Sequence, residues 1–208
     1  MPNWCFNTLT VSGPEDAVAR FHSDRQHALK HYECDAEQVI TFNQVAPIPT
    51  ELKGTISPTP PTEEQIRQLA KDNNWSEEIL QDRLSGNVLT SIQDTMNKVL
   101  IQKYGVCNWY DWCISNWNTK WDACHAELVE PNQIKFDTAW GPPTKVIREF
   151  ASGYPELTFT HSYSLECEEG WWLFTYFTEE DTLMVEWEYE TKSFEAIPAD
   201  ELDEHAIP

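Results

Sequence analysis

A chain of 208 residues can form a domain with a substantial core, and its 40% hydrophobic residues and ten tryptophans exclude a chain that is disordered by composition. Thirty-five acidic residues against fourteen basic ones give a formal net charge of −21. This charge argues against direct binding to nucleic acid or to an anionic membrane, because both depend on lysine and arginine. A partner that is recognised by charge should therefore be basic.

The compartment is predicted from apolar runs and cysteines. No apolar signal segment follows Met1, and no apolar run reaches the roughly 18 residues that a membrane span needs. We therefore predict a cytoplasmic protein that does not bind membranes, with its six cysteines as free thiols.

The first predicted elements are a strand and a helix. Residues 3–13, NWCFNTLTVSG, are typical of a central strand, and Pro14 is a favourable first residue for a helix over 14–32. Residues 39–49, VITFNQVAPIP, predict a short strand.

A loop rich in Pro, Thr and Ser then leads into a helical insertion at about residues 50–106. Thr62 and Gln65 have the spacing of a capping box, and Ser76 indicates the start of a second helix. Apolar residues at helical spacing between 88 and 100 indicate a third.

Residues 107–124, CNWYDWCISNWNTKWDAC, contain four of the tryptophans. The spacing of Trp109, Trp112 and Cys113 predicts a short helix that begins near Asn108 and ends near Asn118. This string is typical of an aromatic core, of a cage for a flat ligand or of a catalytic centre. Because aromatic side chains dominate protein cores, we expect most of it to be core, with Trp117, Lys120 and Trp121 reaching the surface.

The remaining sequence predicts mainly strands. A hairpin over 123–140, a helix over 141–155 and an alternating strand over 156–166 precede two further strands, at 171–179 and 182–190, and an acidic tail at 191–208. The order predicts one α+β domain over residues 1–208, with a ferredoxin-like antiparallel sheet, packed helices, the insertion and a C-terminal β-meander.

Three motifs carry a family resemblance: MPNWCFNTLTVSG at the N-terminus, NWYDWCISNWNTKWDA in the centre and TAWGPPTKVI after it. Together they resemble the YubB-like proteins of conjugative plasmids and phages, in which Gly stands at the position of Asn118. The resemblance implies a ferredoxin-like domain and an accessory protein of a mobile element in a bacterial host cell. By analogy with such accessory proteins, we expect action against a host defence.

Acidic residues dominate the last quarter of the chain, with fifteen acidic residues and one lysine after position 155. Alternate residues of a strand stand about 6.6 to 6.8 Å apart, a scale similar to that of DNA phosphates, so an acidic sheet face would imitate a phosphate track. The alternative is a solvated face without a partner. The residues predicted to bind a basic host or element-encoded protein, and to inhibit it, are Glu179, Glu180, Asp181, Glu186, Glu188 and Glu190.

A second hypothesis is a small-ligand or nucleotide binder whose pocket comes from the tryptophan string. An enzyme would use Asp111 and Asp122 as acid and base and Lys120 to hold an anion. The sequence contains no recognisable nucleophile with its base and no phosphate loop, so we predict no catalytic residue and no cofactor. The predicted pocket residues are Asn3, Trp4, Trp109, Tyr110, Asp111, Trp117, Lys120, Trp121 and Asp122.

The sequence contains residue types that can bind metals, but not at the spacing typical of zinc sites. His27, His31 and Cys34 would share one helical face, but no Cys-x-x-Cys pair accompanies them, and we predict no metal site.

Overall fold

A computed structural model describes residues 3–86 and 88–166, together with the backbone of 171–176, 182–188 and 193–197. The chain divides into two compact units. The first comprises Met1–Pro47 and Cys113–Pro208, and the second is Ile48–Trp112. The predicted insertion of residues 50–106 lies within the second unit, and the organisation of residues 1–208 as a single domain stays a prediction.

The described elements follow in chain order. They are β1 (Trp4–Ser12), α1 (Glu15–His31), a 3-10 helix (Phe42–Gln44), α2 (Glu63–Asp72), α3 (Glu77–Leu84), α4 (Ser91–Tyr104), α5 (Trp109–Trp117), β2 (Cys124–Glu130), β3 (Gln133–Ala139), α6 (Thr144–Gly153), β4 (Thr158–Leu165), β5 (Trp171–Tyr176), β6 (Thr182–Glu188) and β7 (Ser193–Ile197).

The first unit is built on a seven-stranded sheet in the order β2-β3-β1-β4-β5-β6-β7, with every neighbouring pair antiparallel. Its first four strands, with α1 after β1 and α6 after β3, have the order and connections of a ferredoxin-like fold. Strands β5, β6 and β7 continue the sheet beyond β4 as a meander. The predicted fold class is confirmed.

The core of this unit lies on one face of the sheet. Residues of β1 alternate in burial, so that Cys5, Leu9 and Val11 are buried whereas Phe6 is 45% exposed. On the buried side, the Phe21 ring of α1 meets the rings of Phe150 and Phe159 edge-on, at centroid distances of 5.6 and 5.5 Å. This packing fixes α1 against α6 and against β4.

The second unit contains α2, α3 and α4, whose starts follow the sequence signals. At α2, the Gln65 backbone N–H donates to Thr62 Oγ1 over 3.2 Å, and the Thr62 N–H donates to Gln65 Oε1 over 2.8 Å. This is the predicted capping box. Helix α4 ends at Gly105, which adopts a left-handed conformation with φ of 78°.

One sequence prediction needs correction. Residues 39–49 form no strand in the structure, and Phe42–Gln44 are a 3-10 helix, because the N–H groups of Phe42 and Asn43 donate to side chains instead of to a neighbouring strand. Within residues 191–208, which stay predicted as an acidic tail, Ser193–Ile197 form β7 and pair with β6. Residues 191, 192 and 198–208 lie outside the described residues.

Candidate binding surface

The tryptophan string contributes first to the core. Helix α5 buries Trp117, which is 1% exposed, and its indole N–H donates to the Ala46 carbonyl over 2.8 Å. The same ring packs edge-on against Phe42 at 5.6 Å. The expectation that Trp117 reaches the surface is therefore wrong, and its faces are used in packing rather than left open to a ligand.

Asp122 joins two segments of the first unit through hydrogen bonds. Its carboxylate accepts hydrogen bonds from the Thr41 hydroxyl (2.5 Å), the Phe42 N–H (2.7 Å), the Asn43 side-chain amide (3.1 Å) and the Ala123 N–H (2.8 Å). Burial raises the pKa of this carboxyl group, and the hydrogen bonds oppose that rise. Both carboxylate oxygens accept hydrogen bonds within the fold, so Asp122 acts as a structural acceptor there.

Three other predicted pocket residues lie in the second unit, at the start of α5. Asn108 caps the helix as predicted, because its Oδ1 accepts the Asp111 N–H over 2.9 Å and its amide donates to the Asp111 carboxylate over 2.7 Å. The Trp109 N–H donates to Thr55 Oγ1 over 2.9 Å, and the Trp109 and Tyr110 rings meet edge-on at 5.9 Å. These contacts give local reasons for each side chain's position.

Four side chains of the first unit, those of Trp4, Lys120, Trp121 and His125, lie close to one another, and Trp140 follows β3 next to the backbone of Asn3. We call these five residues the tryptophan surface. The Trp4 ring lies 6.4 Å from that of Trp121 and 5.3 Å from that of His125, and the Lys120 ammonium lies 4.5 Å from the centre of the Trp121 ring. The Trp140 N–H donates to the Asn3 carbonyl over 2.9 Å, beside Trp4. Trp140 is 54% exposed.

Two members of this surface have unusual backbone conformations. Trp140, directly after β3, has φ of 75°, and His125, in β2, has φ of 47°. For a side chain as bulky as that of Trp140, a positive φ is a genuine outlier that the surrounding structure must enforce, whereas His adopts this conformation more readily. The pairing of β2 with β3 shifts between Cys124 and Glu127, and the His125 Nδ1 lies 2.9 Å from an Asp137 carboxylate oxygen.

Sequence reasoning named Trp4, Lys120 and Trp121 as candidate pocket residues, but it did not include Trp140 and it missed the pairing of His125 with Asp137. That pairing depends on the irregular register of β2 against β3, for which the sequence contains no specific signal.

The predicted acidic face is described only in part. Glu186 and Glu188 stand two positions apart in β6, and Glu186 pairs with Glu195 of β7 in the backbone register. Glu179, Glu180, Asp181 and Glu190 lie outside the described residues.

The described side chains offer little chemistry typical of enzymes or metal sites. Burial raises the pKa of the Cys5 and Cys113 thiols to about 12, so both remain protonated and are poor nucleophiles at neutral pH. The His27 and His31 rings stack at 6.4 Å, yet within the described ranges no three His, Cys, Asp or Glu side chains are grouped so that they could hold a metal ion. No helix in the described part of the chain is long and apolar enough to span a membrane.

The sheet order and the two helices on its buried face define an α+β protein with a ferredoxin-like domain. Residues 116–206 match the family model described as the ferredoxin-like domain in Api92-like protein. The matched range begins within α5 and leaves out β1 and α1, which complete the sheet order in this chain. This part of the chain is thus similar to Api92-like proteins, and the ferredoxin-like domain that the family resemblance implied is confirmed.

One solved structure is similar over most of the chain. The crystal structure of a protein api92 from Yersinia pseudotuberculosis has 12% sequence identity and a TM-score of 0.37, covering 88% of this chain and 97% of that chain. No curated protein matches the chain.

Proposed function

We propose that this chain is a non-catalytic acidic binding protein that engages a protein with a basic surface, with the tryptophan surface as its anchor. The observation that carries the proposal is Trp140, an indole that is 54% exposed and held at a positive φ. Strain of this kind costs about 1–3 kcal/mol and tends to be stored at functional sites. Tryptophan is also among the residues most enriched at the energetic centres of protein interfaces.

Charge supplies the second part of the proposal. A net charge of −21 attracts a basic partner over a longer range than any single contact does. Glu186, Glu188 and Glu195 lie on the adjacent strands β6 and β7, which supports an acidic sheet edge as the region that attracts the partner. Mimicry of a phosphate backbone is the form of recognition that we infer for it.

The biological setting is part of the same proposal. The resemblance of the three sequence motifs to YubB-like proteins supports a phage or plasmid origin and a bacterial cytoplasm. In that setting, a protein that captures a basic surface would inhibit a host defence or nucleic-acid-processing protein.

The alternative, a small-ligand or nucleotide pocket built from the tryptophan string, has less support. Trp117 is buried and Asp122 is occupied by four hydrogen bonds. Of the predicted pocket residues in the first unit, these two are already used in the fold.

The test is an affinity capture from bacterial lysate with the tagged protein. Trp140→Asn removes the indole but keeps a residue that tolerates positive φ, so the fold is retained. We expect the variant to lose at least about 30-fold in affinity for the captured protein, as for an interface residue worth about 2 kcal/mol. The matched control is Ile92→Asn in α4, which removes a side chain that is 73% exposed in the second unit.

The two variants separate the outcomes. Loss of one basic protein with Trp140→Asn, but not with Ile92→Asn, supports the proposal. Equal capture by the wild type and by Trp140→Asn would refute the anchor.

A further inference from the structure

The ammonium group of Lys120 lies over the ring of Trp121. The Lys120 ammonium lies 4.5 Å from the ring centre, within the range of a cation–π interaction. The two residues are adjacent in sequence, and both are half-buried. The face of Trp121 is therefore electrostatically suited to a positive group.

A second indole stands beside this face. The Trp4 ring lies 6.4 Å from the Trp121 ring, and the two ring planes are inclined by 44°. Two tilted indoles at this separation resemble the walls of the aromatic cages that bind organic cations. The position of Trp4 is fixed by its backbone, because its N–H donates to the Glu166 carboxylate over 2.9 Å and its carbonyl accepts the Glu166 N–H over 3.0 Å.

Acidic and polar groups border these rings. His125 meets the edge of Trp4 at 5.3 Å, and its Nδ1 lies 2.9 Å from an Asp137 carboxylate oxygen. Glu166 is exposed beside the Trp4 backbone. Both carboxylates contribute negative charge near these residues, which favours a cation over an anionic group.

We propose that Trp4 and Trp121 form a cage for an arginine or lysine side chain of the basic partner, and that Lys120 is an internal competitor which this side chain displaces. The inference rests on the proposed function and specifies the chemistry of the contact. The bound group is a guanidinium or an ammonium, and the contact exchanges one cation on the Trp121 face for another.

If the partner's side chain displaces Lys120 from the Trp121 ring, removal of Lys120 should strengthen binding. Replacing any lysine by a neutral residue makes the protein more negative, which strengthens its attraction to a cationic ligand. Here, Lys120→Ala also removes a competitor for the Trp121 face, whereas Lys120→Arg places a guanidinium there, which is the more frequent cation over aromatic rings. The first change should strengthen the binding of a cationic peptide, and the second should weaken it without changing the net charge.

The experiment uses the full chain and the peptide acetyl-Gly-Arg-Arg-Gly-amide, with the indole N–H signals followed by NMR. Relative to the wild type, we expect Lys120→Ala to bind the peptide about two- to fivefold more tightly, from the cost of one cation–π contact. Lys30→Ala is the charge-matched control, because Lys30 is exposed near the end of α1. When Trp121 is replaced by Leu, Lys120→Ala should increase the peptide affinity by no more than Lys30→Ala does.

The outcomes separate this inference from the proposed function. If Lys120→Ala and Lys30→Ala have equal effects, or if Lys120→Arg binds as well as the wild type, the cage is refuted. The protein-binding proposal would still stand if Trp140→Asn loses the captured partner. Peptide binding that follows the predicted order while Trp140→Asn retains the partner would support the cage and refute Trp140 as the anchor.

Discussion

At the scale of single residues, Asp122 shows how a plausible catalytic group becomes a structural one. A carboxylate among tryptophans suggests an acid or a base, but here it joins the Thr41–Asn43 segment to the residue that precedes β2. Hydrogen bonds to a charged acceptor each contribute more than neutral ones do, and their loss leaves buried donors without partners.

We therefore expect Asp122→Ala to lower the free energy of unfolding by about 2–4 kcal/mol. Urea denaturation followed by tryptophan fluorescence measures this change. Asp35→Ala serves as the control, because Asp35 is exposed, and it should change stability by less than about 0.5 kcal/mol. A similar stability for both variants would show that the four contacts contribute little.

His161 is a second residue whose environment determines its behaviour. Its imidazole is fully buried in β4, its Nε2 lies 3.0 Å from the Asn7 side-chain oxygen, and its ring stacks on Phe136 at 6.5 Å. Burial lowers the pKa of this group to about 3. The folded protein therefore keeps His161 neutral at pH values where the unfolded chain would protonate it.

This difference predicts a loss of stability in mild acid. Between the unfolded pKa of about 6.5 and the folded pKa of about 3, only the unfolded chain takes up the proton, so the free energy of unfolding falls as the pH falls. From pH 7 to pH 5 we expect a loss of about 2 kcal/mol from this group. His161→Gln should not show this loss of unfolding free energy between pH 7 and pH 5. His125→Gln, which changes an exposed histidine, should show it as the wild type does.

The comparison is made by urea denaturation of the three proteins at both pH values. Titrating groups that all three proteins share, Asp122 among them, contribute equally to each and cancel in the difference. If the stability of His161→Gln depended on pH as strongly as that of the wild type, His161 would not be the source of the loss in acid.

At the scale of secondary structure, the sequence predicts those helices and strands that depend on interactions between neighbouring residues. The alternation in β1 and β4 and the capping box of Thr62 with Gln65 are properties of neighbouring residues, and the structure contains both strands and the cap. The sheet order follows from the sequence of strands and helices together with the usual connections between them.

The features that the sequence did not predict depend on distant residues. Residues 39–49 have the composition of a strand, but a carboxylate about eighty positions later accepts the Phe42 N–H, and the segment forms a 3-10 turn. Strand β7, which the sequence did not predict, forms through its pairing with β6. The His125 conformation follows from a register shift between two strands. Local patterns carry no information about these long-range pairings.

At the scale of the whole molecule, charge is distributed unevenly between the two units. Residues 48–112 contain nine acidic and six basic residues, a net charge of −3, and the rest of the chain therefore carries −18. The unit that contains the sheet and the tryptophan surface thus has nearly all of the excess negative charge. Long-range attraction of a basic partner would be directed to the same unit that supplies the aromatic anchor.

This distribution assigns different kinetic roles to charge and to the indoles. Raising the salt concentration from about 50 to 300 mM, or reversing Glu186, Glu188 and Glu190 to Lys, should slow the association of the captured partner by about tenfold or more, since steering is screened beyond roughly 10 Å at 0.1 M salt. Trp140→Asn should leave association within about twofold and accelerate dissociation, because a short-range apolar contact acts after the encounter. Surface plasmon resonance with the partner immobilised measures both rate constants. If salt were to change only dissociation, the acidic residues would be contacts within the interface rather than the source of long-range attraction.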